Sequence, residues 1–147
     1  MPLIFPDTEK FDNYDDAWND AVERARSDFD GALNTAKILA FCKSAPAAEF
    51  CTDSQADYVA QRFLPSAGQL YLIYLNRSAI EALASAANDE VGMEFLLPSK
   101  DYDWYWSSTQ YDEWCAWRVH VGEGSAYYSG RTNDDYVRAV SAFHFKY

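Results

Sequence analysis

Few side chains in this sequence could carry out catalysis, and they follow no known catalytic pattern. The chain has two histidines, His120 and His144, and neither a GxSxG nor an HExxH pattern occurs around a serine, cysteine or histidine. The adjacent carboxylates Asp112-Glu113 and Asp134-Asp135 fall in predicted loops, where neighbouring like charges are normally just solvated. The sequence therefore predicts a protein that is not an enzyme and has no catalytic residues.

The cysteines favour neither a disulfide framework nor a zinc site. There are three, Cys42, Cys51 and Cys115, an odd number without CxxC spacing. Cys42 and Cys51 could pair, but buried reduced thiols are the favoured interpretation. We expect no bound metal and no cofactor.

The chemistry that the sequence does favour is recognition by aromatic and polar side chains. Of 25 aromatic residues, 13 lie between Tyr102 and Tyr147. Tyrosine and tryptophan bury much area at low entropic cost and keep a polar group, so they are favoured anchors of adaptable binding surfaces. The competing interpretation is that these rings extend the core. We predict a ligand-binding surface made of Tyr111, Asp112, Glu113, Trp114, Cys115, Arg118, His120, Ser125, Tyr127, Tyr128, Ser129, Arg131, Asn133, Asp134 and Asp135.

A β-hairpin is predicted to position this surface. The stretch from Ala116 to Val121 alternates as a strand, with a packing face and an outward face. The packing set is Trp117, Val119 and Val121, and the outward set is Arg118 and His120. A glycine-rich turn over residues 122–124 leads into a partner strand from Ser125 to Tyr128, followed by a polar loop over residues 130–135.

A last strand is predicted from Tyr136 to Phe145, apolar enough to be central and covered on both sides. Arg138 is the charged residue inside its first half, and we expect an ion pair that locks it into the core rather than a ligand contact. The apolar run from Leu3 to Phe5 lies between two prolines and is predicted to pair with this strand as an edge.

The first part of the chain is predicted to be helical. Helical spacing of apolar residues predicts a helix from Asp15 to Arg26, a second from Asn34 to Lys43, and a short third one from Pro46 to Cys51. Two capping boxes, Ser66 to Gln69 and Ser78 to Glu81, predict two further helix starts.

Several of these segments resemble a known group. The YWSST sequence at residues 105–109, the Ala-Trp pair at 116–117, the glycine turn and YVRAVSAF at 136–143 resemble the C-terminal half of bacterial and phage C-type-lectin-like domains, in particular the variable proteins of diversity-generating retroelements. FLPSAGQLYLIY at residues 63–74 resembles a helix start of the same domains, and the resemblance covers about residues 30–143.

The resemblance implies an α+β, C-type-lectin-like fold, with helices packed on a small, mostly antiparallel twisted sheet. It implies a single domain over residues 1–147: an N-terminal strand and helix (1–29), a helical half (30–101) and a strand-rich half with the ligand-binding surface (102–147). The implied function is display of a diversified surface for protein or glycan targets. The alternatives are an undiversified lectin-like adhesion module and, less favoured, an enzyme related to formylglycine-generating enzymes. Trp18-Asn19-Asp20 echoes a lectin calcium motif, but it lies on a predicted early helix, so calcium-dependent sugar binding is not expected.

The net charge and the N-terminal sequence limit which partners and which location are expected for this protein. A formal net charge of -11 disfavours binding to nucleic-acid phosphates and to anionic membrane surfaces. The N-terminal residues lack a secretory signal pattern, and no apolar run reaches membrane-spanning length. We expect a protein or glycan ligand on another cell or virion, no nucleic acid, no membrane insertion, and a place on a virion or cell surface, and we leave homo-oligomerisation open.

Overall fold

The computed structural model describes residues 3–53, 61–91 and 104–141. Within them the helices are α1 (Tyr14–Arg26), α2 (Gly31–Phe41), α3 (Pro46–Asp53), α4 (Ala67–Leu75) and α5 (Arg77–Val91). The strands are β1 (Arg62–Phe63), β2 (Trp104–Gln110), β3 (Cys115–His120), β4 (Ala126–Gly130) and β5 (Val140–Ser141). Strands β2, β3 and β4 form an antiparallel sheet in that order, and β1 pairs with β5 in a second antiparallel sheet. The prediction of an α+β fold with small antiparallel sheets is confirmed.

Helix α1 forms where the sequence predicted it. The side chain of Asn13 accepts a hydrogen bond from the backbone N–H of Asp16 and so caps the first turn. Ala17, Ala21 and Ala25 follow one another at four-residue spacing and are fully buried. The small side chains let the helix approach the sheet closely, as its amphipathic pattern predicted.

Helices α2 to α5 form near the predicted positions, but some of them begin at a different residue from the predicted one. Helix α2 begins at Gly31, before the predicted start at Asn34, and the N–H of Asn34 donates to the carbonyl of Asp30 within its first turn. Helix α3 begins at Pro46 as predicted. The capping box of Ser66 and Gln69 is present at the start of α4. The second predicted box is wrong: α5 begins at Arg77, immediately after α4, so Ser78 lies inside the helix.

The β3–β4 hairpin is confirmed, including its glycine turn. Gly124 has a φ of 77°, a conformation that glycine adopts readily, and its N–H donates to the carbonyl of His120 over 2.7 Å. The predicted faces of β3 are also correct. Trp117, Val119 and Val121 are fully buried, whereas Arg118 and His120 are half-buried on the opposite face.

The two ends of the chain pair differently from the prediction. Leu3 bridges Gln110 in parallel, so the N-terminal run lies beside β2, and β5, the described part of the last strand, pairs with β1 instead. The predicted strand from Tyr136 is interrupted: Tyr136 forms a single bridge to Tyr105, and only the two residues of β5 follow as a strand, with residues 142–147 outside the described part. Arg138 is half-buried rather than part of a covered central strand.

The core has two clusters. The larger one packs α1 and α4 against the sheet, with the indole of Trp117 at its centre donating from Nε1 to the carbonyl of Ile4 over 2.8 Å. The smaller one joins Ile38 and Cys51 of the helices to Leu64 after β1. Cys42 is a free thiol and so does not pair with Cys51, whose pKa burial raises to about 12. In the described ranges, no helix is long and apolar enough to cross a membrane.

The two faces of the hairpin predict opposite responses to truncation. Trp117→Ala should reduce the free energy of unfolding by about 3–5 kcal/mol, since it empties a fully buried aromatic site. Tyr127→Ala should cost about 1 kcal/mol or less, because that side chain is 46% exposed and its contacts are mainly with other rings near the surface. Chemical denaturation of both variants measures the difference. A larger loss for Tyr127 than for Trp117 would show that the faces are inverted.

Candidate ligand-binding surface

The predicted binding residues are distributed over β3, β4 and the loops next to them, a region we call the display surface; the β2–β3 turn lies at one end of β3 and the β3–β4 turn at the other. They are contributed by the β2–β3 turn, by strands β3 and β4, and by the loop of residues 131–135. They do not form one uniform exposed set. Exposed members are Glu113, Trp114, Ser125, Tyr127, Arg131, Asn133 and Asp134, whereas the others are half-buried or, for Ser129, buried.

An aromatic stack connects the core to this surface. The ring of Tyr111 stacks on that of Tyr128 at 4.2 Å, and Tyr128 stacks on Tyr127 at 4.9 Å. Trp18 of α1 lies 5.0 Å from the ring of Tyr127 and 5.4 Å from Trp117. Burial, with the nearby phenols and Asp112, raises the pKa of Tyr111 to about 12. These rings therefore both extend the core and present an outer π face at Tyr127.

The β2–β3 turn is held by two of the predicted binding residues. The Asp112 carboxylate accepts hydrogen bonds from the backbone N–H groups of Trp114 and Cys115, each over 2.7 Å. Arg131 donates from Nη2 to Gln110 Oε1 over 2.5 Å and to the carbonyl of Asp112. Burial and Asp112 raise the pKa of Cys115. Trp114, 76% exposed, is the side chain that this turn presents to solvent.

His120 belongs to the hairpin turn more than to a free surface. Its Nδ1 accepts from the backbone N–H of Glu123 over 3.0 Å, and its ring meets that of Trp104 edge to face at 5.2 Å. The carbonyl of Ser125 accepts from the backbone N–H of His120, and the Ser125 side chain is exposed.

A half-buried ion pair ties the loop of residues 131–135 to β3. Arg118 Nη1 lies 3.4 Å from Asp135 Oδ1, and the guanidinium carbon lies 4.4 Å from the centre of the Trp104 ring. The Asp135 side chain is 8% exposed, and burial raises its pKa although Arg118 opposes the shift. Arg118 Nε and Asp135 Oδ2 are buried and have no hydrogen-bond partner among the residues that the structure describes. Arg118, which was predicted to face outward, therefore also holds the loop of residues 131–135 against the sheet.

The loop also covers Ser129, which corrects its expected exposure. Ser129 is 7% exposed, and its hydroxyl accepts from the Asn133 amide over 2.9 Å. Ser129 pairs with Ala116 in the sheet, and the loop folds back over that face. Its side chain is therefore part of the loop's support and does not point to water.

A cavity of about 450 Å³, which we call the loop cavity, lies between this loop and helices α2 and α3. Ile38, Ala47 and Leu64 contribute to its helical wall, while Trp106 contributes from β2 and Asp135 from the loop. The helical wall was missed by reasoning from the sequence, since no local pattern brings residues 38 and 135 together. Trp18 was recognised only as a helix residue, and its apolar helical spacing was the available signal for its place beneath the tyrosines.

The display surface offers exposed aromatic rings, amide and hydroxyl groups, and carboxylates. Within residues 3–53, 61–91 and 104–141, no group of three or more His, Cys, Asp or Glu side chains is placed to hold a metal ion. No family model, curated protein or solved structure matches the chain.

A double-mutant cycle on Arg118 and Asp135 tests whether the loop depends on their ion pair. Because the pair is largely desolvated, we expect a coupling free energy of about 1–3 kcal/mol from the unfolding of Arg118→Ala, Asp135→Ala and the double variant. The exposed pair Arg24–Asp20 of α1, with N–O contact at 2.8 Å, is the control and should couple by about 0.3–0.5 kcal/mol. Equal coupling in the two cycles would contradict a locking role.

Proposed function

We propose that this protein is a C-type-lectin-like binding domain that presents the display surface to a protein or glycan target, as a variable protein of a diversity-generating retroelement would. The observation that carries the proposal is that buried and exposed side chains are clearly separated within the β3–β4 hairpin and the turn before it. Trp117 and Val119 are fully buried, while Trp114 and Tyr127 on the adjoining turn and strand are exposed. Such a division supplies a rigid frame under large adaptable contact residues.

The positions of the family-like segments support this assignment. The YWSST sequence lies in β2, where Ser107, Ser108 and Thr109 are buried frame residues. Thr109 accepts from the N–H of Ala67 at the start of α4, so the two segments that resemble the family are joined by a hydrogen bond. The net charge of -11 favours protein or glycan ligands over nucleic acid, and a virion or cell surface is the proposed location.

The residue types at the surface also suit diversification. Tyr, Ser, Asp, His, Arg, Cys and Asn are products of base changes at the adenines of an asparagine codon, which adenine-directed mutagenesis would leave. Glu113 and Trp114 need a different template codon. Both side chains are exposed, so the frame does not dictate their identity.

An undiversified adhesion module is the second candidate, and one observation favours it. Several predicted surface residues take part in hydrogen bonds or ion pairs of the frame, which limits independent replacement: Asp112, Arg118, His120, Arg131 and Asp135.

Two libraries of variants of this protein, equal in size, test the display function and distinguish a diversified binding domain from an undiversified adhesion module. One randomises exposed positions of the display surface: Glu113, Trp114, Ser125, Tyr127 and Asp134. The other randomises the bonded positions just named. Most members of the first library should remain soluble and folded, with scattered ligand preferences, because exposed substitutions shift stability by only about 0.5 kcal/mol. Fewer members of the second should fold. Widespread unfolding in the first library would contradict a display function.

Binding by this surface should need no metal, because its carboxylates and amides lack the spacing of a calcium cage. A target that is bound by a folded member of the first library should therefore be bound with the same equilibrium dissociation constant in excess EDTA, as measured by calorimetry. Loss of affinity in chelator that added calcium restores would contradict this expectation.

A further inference from the structure

Helix α2 exposes an apolar side to solvent, which we call the α2 face. Its members are exposed residues that lie opposite the buried side of the helix or flank its two ends: Phe29, Ala32, Leu33, Ala36, Leu39, Ala40 and Phe41. Phe41 is 84% exposed and Leu33 is 52% exposed. The buried side of the same helix includes the polar residues Asn34 and Thr35. Helix α2 therefore exposes most of its apolar side chains.

The α2 face approaches the size of a protein interface. Monomeric proteins rarely expose contiguous apolar patches of more than a few hundred Å². Phe29 and Phe41, 51% and 84% exposed, together expose about 250 Å² if a whole side chain has about 200 Å². With the leucines and alanines the exposed area reaches roughly 500–600 Å² per copy, and each partner in a stable interface buries about 800 Å². Polar residues at the rim of the face can supply the remainder.

The charge distribution allows a second copy of this chain to occupy the α2 face. A net charge of -11 makes two copies repel each other over most of their surfaces. The chain has 23 carboxylates, but residues 31–48 contain none. The charged residue within α2 is Lys37, which is half-buried. Two copies that meet at this face therefore bring no carboxylates of α2 together.

The two ends of the α2 face carry opposite charges. Asp30 immediately precedes α2, Lys43 follows it by two residues, and both are exposed. The Asp30 side chain makes no capping hydrogen bond, and neither residue forms an ion pair within residues 3–53, 61–91 and 104–141. An antiparallel arrangement of two α2 helices brings opposite charges together at both ends, whereas a parallel arrangement brings like charges together. The face is thus complementary in charge to an antiparallel copy of itself.

We propose that two copies of this chain form a two-fold symmetric dimer through the α2 face. The two helices run antiparallel, so that Ala36 faces the partner's Ala36 and Leu33 lies level with the partner's Leu39. The alanine side chains are small and let the two helices approach closely. Asp30 pairs with the partner's Lys43 at each end. Both copies use the same patch, so the interface closes and does not extend into a filament.

The dimer goes beyond the proposed function and does not depend on it. No residue of the display surface belongs to the α2 face, so each dimer carries two display surfaces. A target with repeated sites would be bound by both and held by avidity. This consequence alone rests on the proposed function.

Sedimentation velocity on the full chain, measured over a concentration series, tests the dimer. We expect the dimer mass to appear as the concentration rises to about 100 µM. Leu33→Asp should raise the dissociation constant at least about tenfold, because it places a carboxylate in the apolar contact of each copy. Leu83→Asp, at a residue of α5 that is 72% exposed, is the matched control and should leave the constant unchanged. A monomer at every concentration, or equal effects of the two variants, would overturn the proposal.

An exchange of charges tests the antiparallel register without either leucine variant. Asp30→Lys and Lys43→Asp should each raise the dissociation constant of the dimer about fivefold to tenfold, because each brings like charges together at both ends. The double variant restores opposite charges and should return the constant to within about twofold of the original. A double variant that dimerises no better than the single variants would overturn the proposed register.

The dimer and the display function can fail separately. If the chain sediments as a monomer while the exposed-position library yields folded binders, the dimer is wrong and the display function stands. If the chain sediments as a dimer that Leu33→Asp dissociates while that library unfolds, the display function is wrong and the dimer stands.

Discussion

The fold depends on Asp28, a residue between α1 and α2 that fastens the helical half of the chain to the strands. Its carboxylate accepts from the Thr109 hydroxyl over 2.7 Å and from the Asn34 amide over 2.9 Å. Its carbonyl accepts from the Ser66 hydroxyl and from the N–H of Gly68. A Cβ on Gly68 would lie 2.4 Å from that carbonyl oxygen, so the close approach requires glycine. Helices α2 and α4 and strand β2 thus meet at one residue. These contacts of Asp28 fix the position of the sheet, and therefore of the display surface, relative to the helices.

From this junction outward, the polar groups change their role. Near Asp28 they bond to one another and are buried, as Ser66 and Thr109 are. At opposite ends of β3, the side chains of Asp112 and His120 accept hydrogen bonds from backbone N–H groups of their own turns. The side chains of Trp114 and Tyr127 are exposed and contribute little to holding the fold together. Buried side chains that stabilise the fold and exposed aromatic side chains are thus neighbours within one hairpin.

Local patterns in the sequence predicted the parts that depend on local physics. The alternation around Trp117 predicted the buried face of β3, and the Ser66 box predicted the start of α4, because both follow from neighbours in sequence. The Ser78 box failed because the carbonyl of Asn76 accepts from Ile80 and starts α5 earlier. The partner of Arg118 and the burial of Ser129 could not be predicted, since both depend on how the loop of residues 131–135 folds over the sheet.

The Arg118–Asp135 pair sets a limit on how the surface can vary. Removing either partner leaves a charge largely out of water, which costs more than the pair itself contributes. Arg118 also lies on the ring of Trp104, so its replacement loosens β2 as well as the loop. A change at one of these two positions therefore requires a compensating change at the other. Glu113, Trp114 and Tyr127 have no such ion-pair partner and can be replaced independently. Substitutions that preserve the fold are consequently expected on the β2–β3 turn and on β4, whereas the Arg118–Asp135 pair restricts substitutions in the loop of residues 131–135.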